Sequence, residues 1–203
     1  MEIIHTALTL IQTELDQYVQ RQLQQPAGTV VLGNVAMIES EGNNVDLLNK
    51  AIITLVNIEE ESTLKNVPHH RITNGSVRYE NPPIVLNLYI LVSANFPTRY
   101  GDSLELISTT LEFFQGQNHF TPFNSPSFAA NFPDLNTPEI ASLRLNVDLY
   151  TMTFEQLNHL WGSLGGKQIP FLMYKVRMLR VMADNLIQDT GTISEVVTNN
   201  RAT

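Results

Sequence analysis

The sequence predicts a single α/β domain of the α+β kind, with a mixed, mostly antiparallel sheet flanked by about three helices. Three observations point there. Two segments repeat apolar residues at helical spacing, one central stretch is apolar on both of its alternating sets, and several further stretches are β-rich and separated by turn residues. A length of 203 residues with 43% hydrophobic and 16% charged residues suits one well-buried core and is short for two.

The elements follow in order. Ile4, Leu8, Ile11, Leu15 and Tyr18 alternate steps of four and three, which predicts a helix to about Leu23, stopped by Pro26 and Gly28. Thr29 to Glu39 and Asn49 to Glu61 are rich in Val, Leu and Ile without helical spacing and are expected to be strands joined by a polar connection. Ser62 to Asn81 holds few large apolar residues and reads as a long exposed loop. After Pro82-Pro83, Ile84, Leu86, Leu88, Ile90 and Val92 alternate with Val85, Tyr89 and Leu91, the pattern of a strand covered on both faces and therefore central.

Leu104, Ile107, Leu111 and Phe114 predict a second helix from about Tyr100 to Gln115, with these four as its core stripe. Asn118 to Pro138, with four prolines, reads as loop. Ala141, Leu143, Leu145, Val147 and Leu149 then alternate with polar residues, as in a half-buried strand. Thr153 and Gln156 match a capping box opening a short helix that carries Phe154, Leu157, Leu160 and Leu164. In the last long strand, Phe171 to Met182, Lys175, Arg177, Leu179 and Val181 are expected to share one face and Tyr174, Val176, Met178 and Arg180 the other. Two short β-like pieces around Asp189-Thr190-Gly191 end the chain, giving a domain over 1–185 and a β-like extension or tail over 186–203.

The chemistry that the sequence invites is weak. Gly165-Gly166-Lys167 evokes a phosphate loop, but the first glycine of that motif would fall on Trp161, Gln168 replaces the Ser or Thr, and a strand follows where a helix is needed. The glycines are expected to turn a helix into a strand. Adjacent His69 and His70 point apart on extended backbone and do not have zinc-ligand spacing, so no metal is assigned. Glu59, Glu60 and Glu61 splay into solvent at a strand end instead of flanking a substrate. Ser163, in a stretch short of one residue for a nucleophile elbow, is a turn residue. No catalytic residue and no cofactor are expected. The net charge of -8 and the scatter of 12 basic residues argue against a nucleic-acid surface and for an acidic protein-binding one. With no cysteine there is no disulfide or thiolate site, and no apolar run is long enough to span a membrane. Glu2, Glu14 and Asp16 in a start without a basic n-region give the expectation of no signal peptide and of synthesis in the cytoplasm.

Four co-linear stretches, TLVNIEEE at 54–61 after Ile53, NPPIVLNLYILVSANF at 81–96, LEFFQGQNHF at 111–120 and LNHLWGSLGGKQIPFLMYKVRML at 157–179, resemble the tail-terminator, or cap, family of contractile injection systems. The resemblance implies a fold like that of phage tail terminators and a structural role: a ring, expected to be a hexamer, that ends inner-tube and sheath polymerisation at the baseplate-distal end and fastens the last sheath ring. It implies tube and sheath proteins as partners, release as part of a phage tail-like particle, and no catalytic residues. Longer members carry a further C-terminal region, whose contacts are not expected here. A tail-completion protein joined to a capsid is the alternative, and a small hydrolase the remote one. For the interface, the candidates are Glu59, Glu60, Glu61, His69, His70, Arg71, Lys175, Arg177 and Arg180, with Lys175, Arg177 and Arg180 pairing the acidic strand end within or between subunits. The Ser62 to Asn81 stretch or Leu186 to Val197 is expected to meet sheath or tube.

Overall fold

A computed structural model describes residues 3–38, 47–61, 70–73, 76–80, 84–132, 135, 137–181 and 186–191. Helix α1 (Ile3–Leu23) leads into β1 (Val30–Leu32), a 3-10 turn at Val35–Met37 and β2 (Lys50–Glu60). Then come β3 (His70–Thr73), β4 (Ser76–Glu80), β5 (Ile84–Asn95) and α2 (Tyr100–Gly116). The short β6 (His119–Phe120), a 3-10 turn at Pro122–Asn124, α3 (Pro126–Asn131) and α4 (Pro138–Ala141) follow, and β7 (Arg144–Leu149), α5 (Phe154–Ser163), β8 (Phe171–Val181) and β9 (Leu186–Gly191) complete the order. The mixed α/β class is borne out. A six-stranded sheet runs β1-β2-β5-β8-β7-β6, with β1 parallel to β2 and every other pair antiparallel.

β5 lies between β2 and β8, as its two apolar sets require. Leu88, Ile90 and Val92 join the main core with Tyr174, Val176 and Met178 of β8 and Leu145 and Val147 of β7, under Leu10, Ile11 and Leu15 of α1 and Phe113 and Phe114 of α2. Tyr89 and Leu91 point the other way, into a smaller cluster with Met173 and Trp161 of α5. Alternation along one strand thus supplies both layers. The predicted capping box of α5 forms, with Thr153 Oγ1 accepting from the Gln156 N–H and Gln156 Oε1 from the Thr153 N–H. At its other end the Gly166 N–H reaches Trp161 O at 2.7 Å, and Gly165 and Gly166 take φ of +105° and +83°. That is a Schellman closure, which needs residues free of a Cβ clash, so the glycines serve the turn as expected.

Four expectations need correction. The Thr29 to Glu39 strand shrinks to three residues, because Thr54 Oγ1 donates to Gly33 O and accepts from the Val35 N–H, which turns the chain after β1. The Asn118 to Pro138 loop contains β6, a 3-10 turn and α3, whose Phe128 is fully buried and whose first turn is held by Glu14 Oε1 accepting from the Phe128 N–H at 2.8 Å. Ala141 belongs to α4, so β7 begins only at Arg144. The fourth concerns the exposed loop over Ser62 to Asn81, which holds β3 and β4, an antiparallel hairpin with the pair Thr73–Ser76 at its tip.

α2 is rotated from its predicted orientation. Ser103, Leu106, Thr109, Thr110, Phe113 and Phe114 are buried, while Leu104 and Leu111 are exposed. The buried hydroxyls are accommodated locally: Thr110 Oγ1 donates to Leu106 O at 2.8 Å and Ser103 Oγ to Ala94 O at 3.5 Å. A small polar residue whose proton is satisfied by a nearby backbone carbonyl can sit at a close helix–sheet contact.

Candidate interface

Two features of the sheet are places where a partner can be met. The first is the behaviour of its edges. The outward backbone groups of Val30 on β1 are occupied by α1: Asp16 Oδ1 accepts from the Val30 N–H at 2.7 Å and Gln12 Nε2 donates to Val30 O at 2.7 Å. The second carboxylate oxygen of Asp16 accepts from the Gly28 N–H and from Gln20 Nε2. At the other edge, β6 is only two residues long. Both are ways of blunting an edge against added strands.

The centre of the sheet behaves differently. β5 pairs β8 as far as Ile84–Val181, and β4 pairs β9 from Glu80–Leu186 to Ser76–Gly191. β4 and β9 belong, with β3, to a separate three-stranded sheet of order β3-β4-β9. β2 and β7 stop pairing at Leu86 and Leu179 respectively, so the central β5/β8 pair outruns its neighbours. Among the described residues nothing pairs with the outer edge of β3 or of β9. The expected boundary at 185/186 falls between β8 and β9.

The second feature is a set of polar residues on the sheet face that also carries α5. Glu59, Asn87, Arg177, Asn146 and His119 are register partners in one row across five strands, and Asn57, Tyr89, Lys175 and Asp148 form the next. Tyr89 Oη donates to Glu59 Oε2 at 2.9 Å, Asn87 Nδ2 to Glu61 Oε2 at 3.0 Å, and His119 Nδ1 lies 2.7 Å from Asn146 Oδ1. Lys175 Nζ and Arg177 Nε both stand 3.9 Å from Glu61 Oε2. Such partly exposed pairs contribute roughly 0–1 kcal/mol each, so they order the face more than they stabilise it. Asn87 Oδ1 and Arg177 Nε are buried without a hydrogen-bond partner.

The candidates from sequence are therefore distributed as follows. Glu61, Lys175 and Arg177 are brought together within one chain. Glu59 joins them through Tyr89, and Glu60 is exposed beside them. His70 and Arg71 lie on β3 and Arg180 on β8, while His69 is outside the described residues. The sequence reading missed Asn87, Tyr89, Asn146, Asp148 and His119. Their signal was a polar residue at every second position on four strands, hidden in β5 by the apolar run around it.

Burial, then the bond to the Glu59 carboxylate and its charge, raise the Tyr89 phenol from 10.0 to about 12. The folded protein therefore holds this proton where the unfolded chain has lost it, and stability falls as pH rises from about 10 towards 12. Chemical denaturation across that window is expected to show a shallower decline for Tyr89→Phe than for the wild type; equal slopes would mean that Tyr89 is not a source of the pH dependence.

The fold built on this sheet is shared with proteins of known structure. A solved structure described as a sheath/tube terminator of an extracellular contractile injection system, PVC, in the extended state, matches with a TM-score of 0.59 over 98% of this chain, at 13% identity. This chain spans 64% of the length of that one. The anti-feeding prophage cap, a tube-terminating cap, matches with a TM-score of 0.46 at 14% identity, over 76% of this chain and 51% of its own. No curated protein sequence matches. Residues 6–195 match the model of the Pvc16 N-terminal domain, so the chain belongs to the Pvc16 N-terminal domain family, which bears out the resemblance drawn from the four co-linear stretches.

Proposed function

We propose that this chain is the structural cap of a contractile injection system, ending growth of the inner tube and sheath at the baseplate-distal end and fastening the last sheath ring as a member of a hexameric ring. The observation that carries this reading is the fold likeness to a sheath/tube terminator over 98% of the chain. The edges support it. With β1 occupied by Asp16 and Gln12, the β3-β4-β9 sheet is the part of the molecule fit to meet an extended segment of sheath or tube by strand addition. A cap needs surfaces and no reaction, and the paired charges on the polar face order that surface without activating a nucleophile.

The test is the length distribution of sheathed particles, by negative-stain electron microscopy, from cells with and without the gene. Irregular, overlong or prematurely contracted particles are expected without it. An unchanged distribution would sink the terminator role.

A further inference from the structure

The outer side of α2 carries an apolar stripe that the fold leaves largely exposed, Ile107 alone of its four residues packing against the main core. Tyr100, Leu104 and Leu111 are 64%, 46% and 44% exposed, and Ile107 is half-buried beside them. At about 100° per residue the four fall within an arc of about 60°. Phe113, which meets Tyr18 of α1 at a ring distance of 5.3 Å, points about 150° away from that arc, so α1 does not cover it. Buried side and stripe together take about 220° of the circumference, roughly twice what a helix lying on one surface needs. α2 is built to be covered twice.

A second exposed apolar feature sits elsewhere. Phe154, at the first residue of α5, is 87% exposed, the highest value among the large apolar side chains described. α2 packs on the face of β5 that carries Leu88, Ile90 and Val92, whereas α5 packs on the face that carries Tyr89 and Leu91. A stripe and a knob on opposite faces of one sheet cannot meet within a chain. Between copies related by a rotation they can, each copy offering its stripe to one neighbour and its knob to the other, which is the heterologous contact that closes into a ring.

We propose that the α2 stripe receives Phe154 of a neighbouring copy of this chain, resting on the ring reading above. The size of the patch fits that occupant. A stand-alone dimer uses about 20–30 residues a side, far more than this stripe and knob supply, so the contact holds where it is repeated and closed around a ring. An exposed aromatic seated in an apolar seam is also the usual form of an interface anchor.

The absence of cysteine makes the test direct. Leu104→Cys and Phe154→Cys, made together, place one thiol on each half of the contact, at exposed sites where folding is undisturbed; thermal unfolding of the double variant checks this. Particles assembled with that variant are treated with a short bismaleimide, denatured and separated by size. The expected result is a covalent ladder of this chain from dimer upward, absent with either single variant. Monomer alone, in particles that contain the chain and have normal lengths, overturns the contact and leaves the ring reading standing. A cross-link to a tube or sheath subunit overturns it too, by giving the stripe to that partner. Particles without the chain would remove the ring reading, and the contact with it.

Discussion

Asp16→Ala is expected to lower stability by about 3–5 kcal/mol. The carboxylate is 8% exposed and accepts from the Val30 and Gly28 N–H groups at 2.7 and 2.9 Å, with Gln20 Nε2 as a third donor. Alanine leaves two backbone donors without an acceptor, one of them buried, and each such group costs about 1–3 kcal/mol. A domain whose whole stability is about 5–15 kcal/mol feels that loss throughout. Asp16→Asn is the sharper probe, since it keeps the shape but turns an amide N–H toward one of the two donors. Urea unfolding should show the midpoint falling strongly for alanine and by an intermediate amount for asparagine. Because Asp16 also covers the outward edge of β1, the alanine variant should self-associate at concentrations where the wild type does not. A loss of stability below about 1 kcal/mol would mean that water replaces the carboxylate, and the edge would not be locked by α1.

What could be foreseen from the residues was local in origin. α1, β5, the capping box at Thr153 and the glycine closure after α5 each follow from residues within a few positions of one another, and each stands as expected. α2 was legible as a helix but not in its rotation. Leu104, Ile107 and Leu111 have the right spacing for a core stripe, yet the close approach of the helix to β5 selects Ser103 and Thr110, whose hydroxyls are satisfied by backbone carbonyls. Spacing reports that an apolar face exists; it does not say whether this chain or another covers it. The β3/β4 hairpin was illegible for a different reason. β4 finds its second neighbour in β9, more than a hundred residues further on, so its strand character comes from pairing and not from its own composition. The polar rows shared that fate: Asn87 and Arg177 are meaningful only once the register sets them opposite each other.

Phe120→Ala is expected to cost about 3–5 kcal/mol and, more tellingly, to release one edge of the sheet. β6 has only two ladder pairs, His119–Asn146 and Phe120–Leu145, too few to hold a strand by backbone bonds alone. Its anchor is the Phe120 ring, fully buried, 5.6 Å from Phe113 and 6.1 Å from Phe114, which in turn lies 4.4 Å from Tyr174 on β8. These rings join α2, β6 and β8, and through Phe113 and Tyr18 they reach α1. Truncating the ring removes apolar area and leaves a cavity that its aromatic neighbours, held in tilted contacts, fill poorly. The local consequence is separable from the global one. The Val147 N–H donates to Asn118 O at 2.8 Å, just before β6, so its hydrogen exchange should accelerate more than that of the buried Val92 amide on central β5. Phe123→Ala, three residues along and 64% exposed, should change stability by less than about 0.5 kcal/mol. If Phe120→Ala lowered stability without speeding exchange at Val147 beyond the centre of the sheet, the strand would be held by its ladder after all, and the ring would serve only to fill the core.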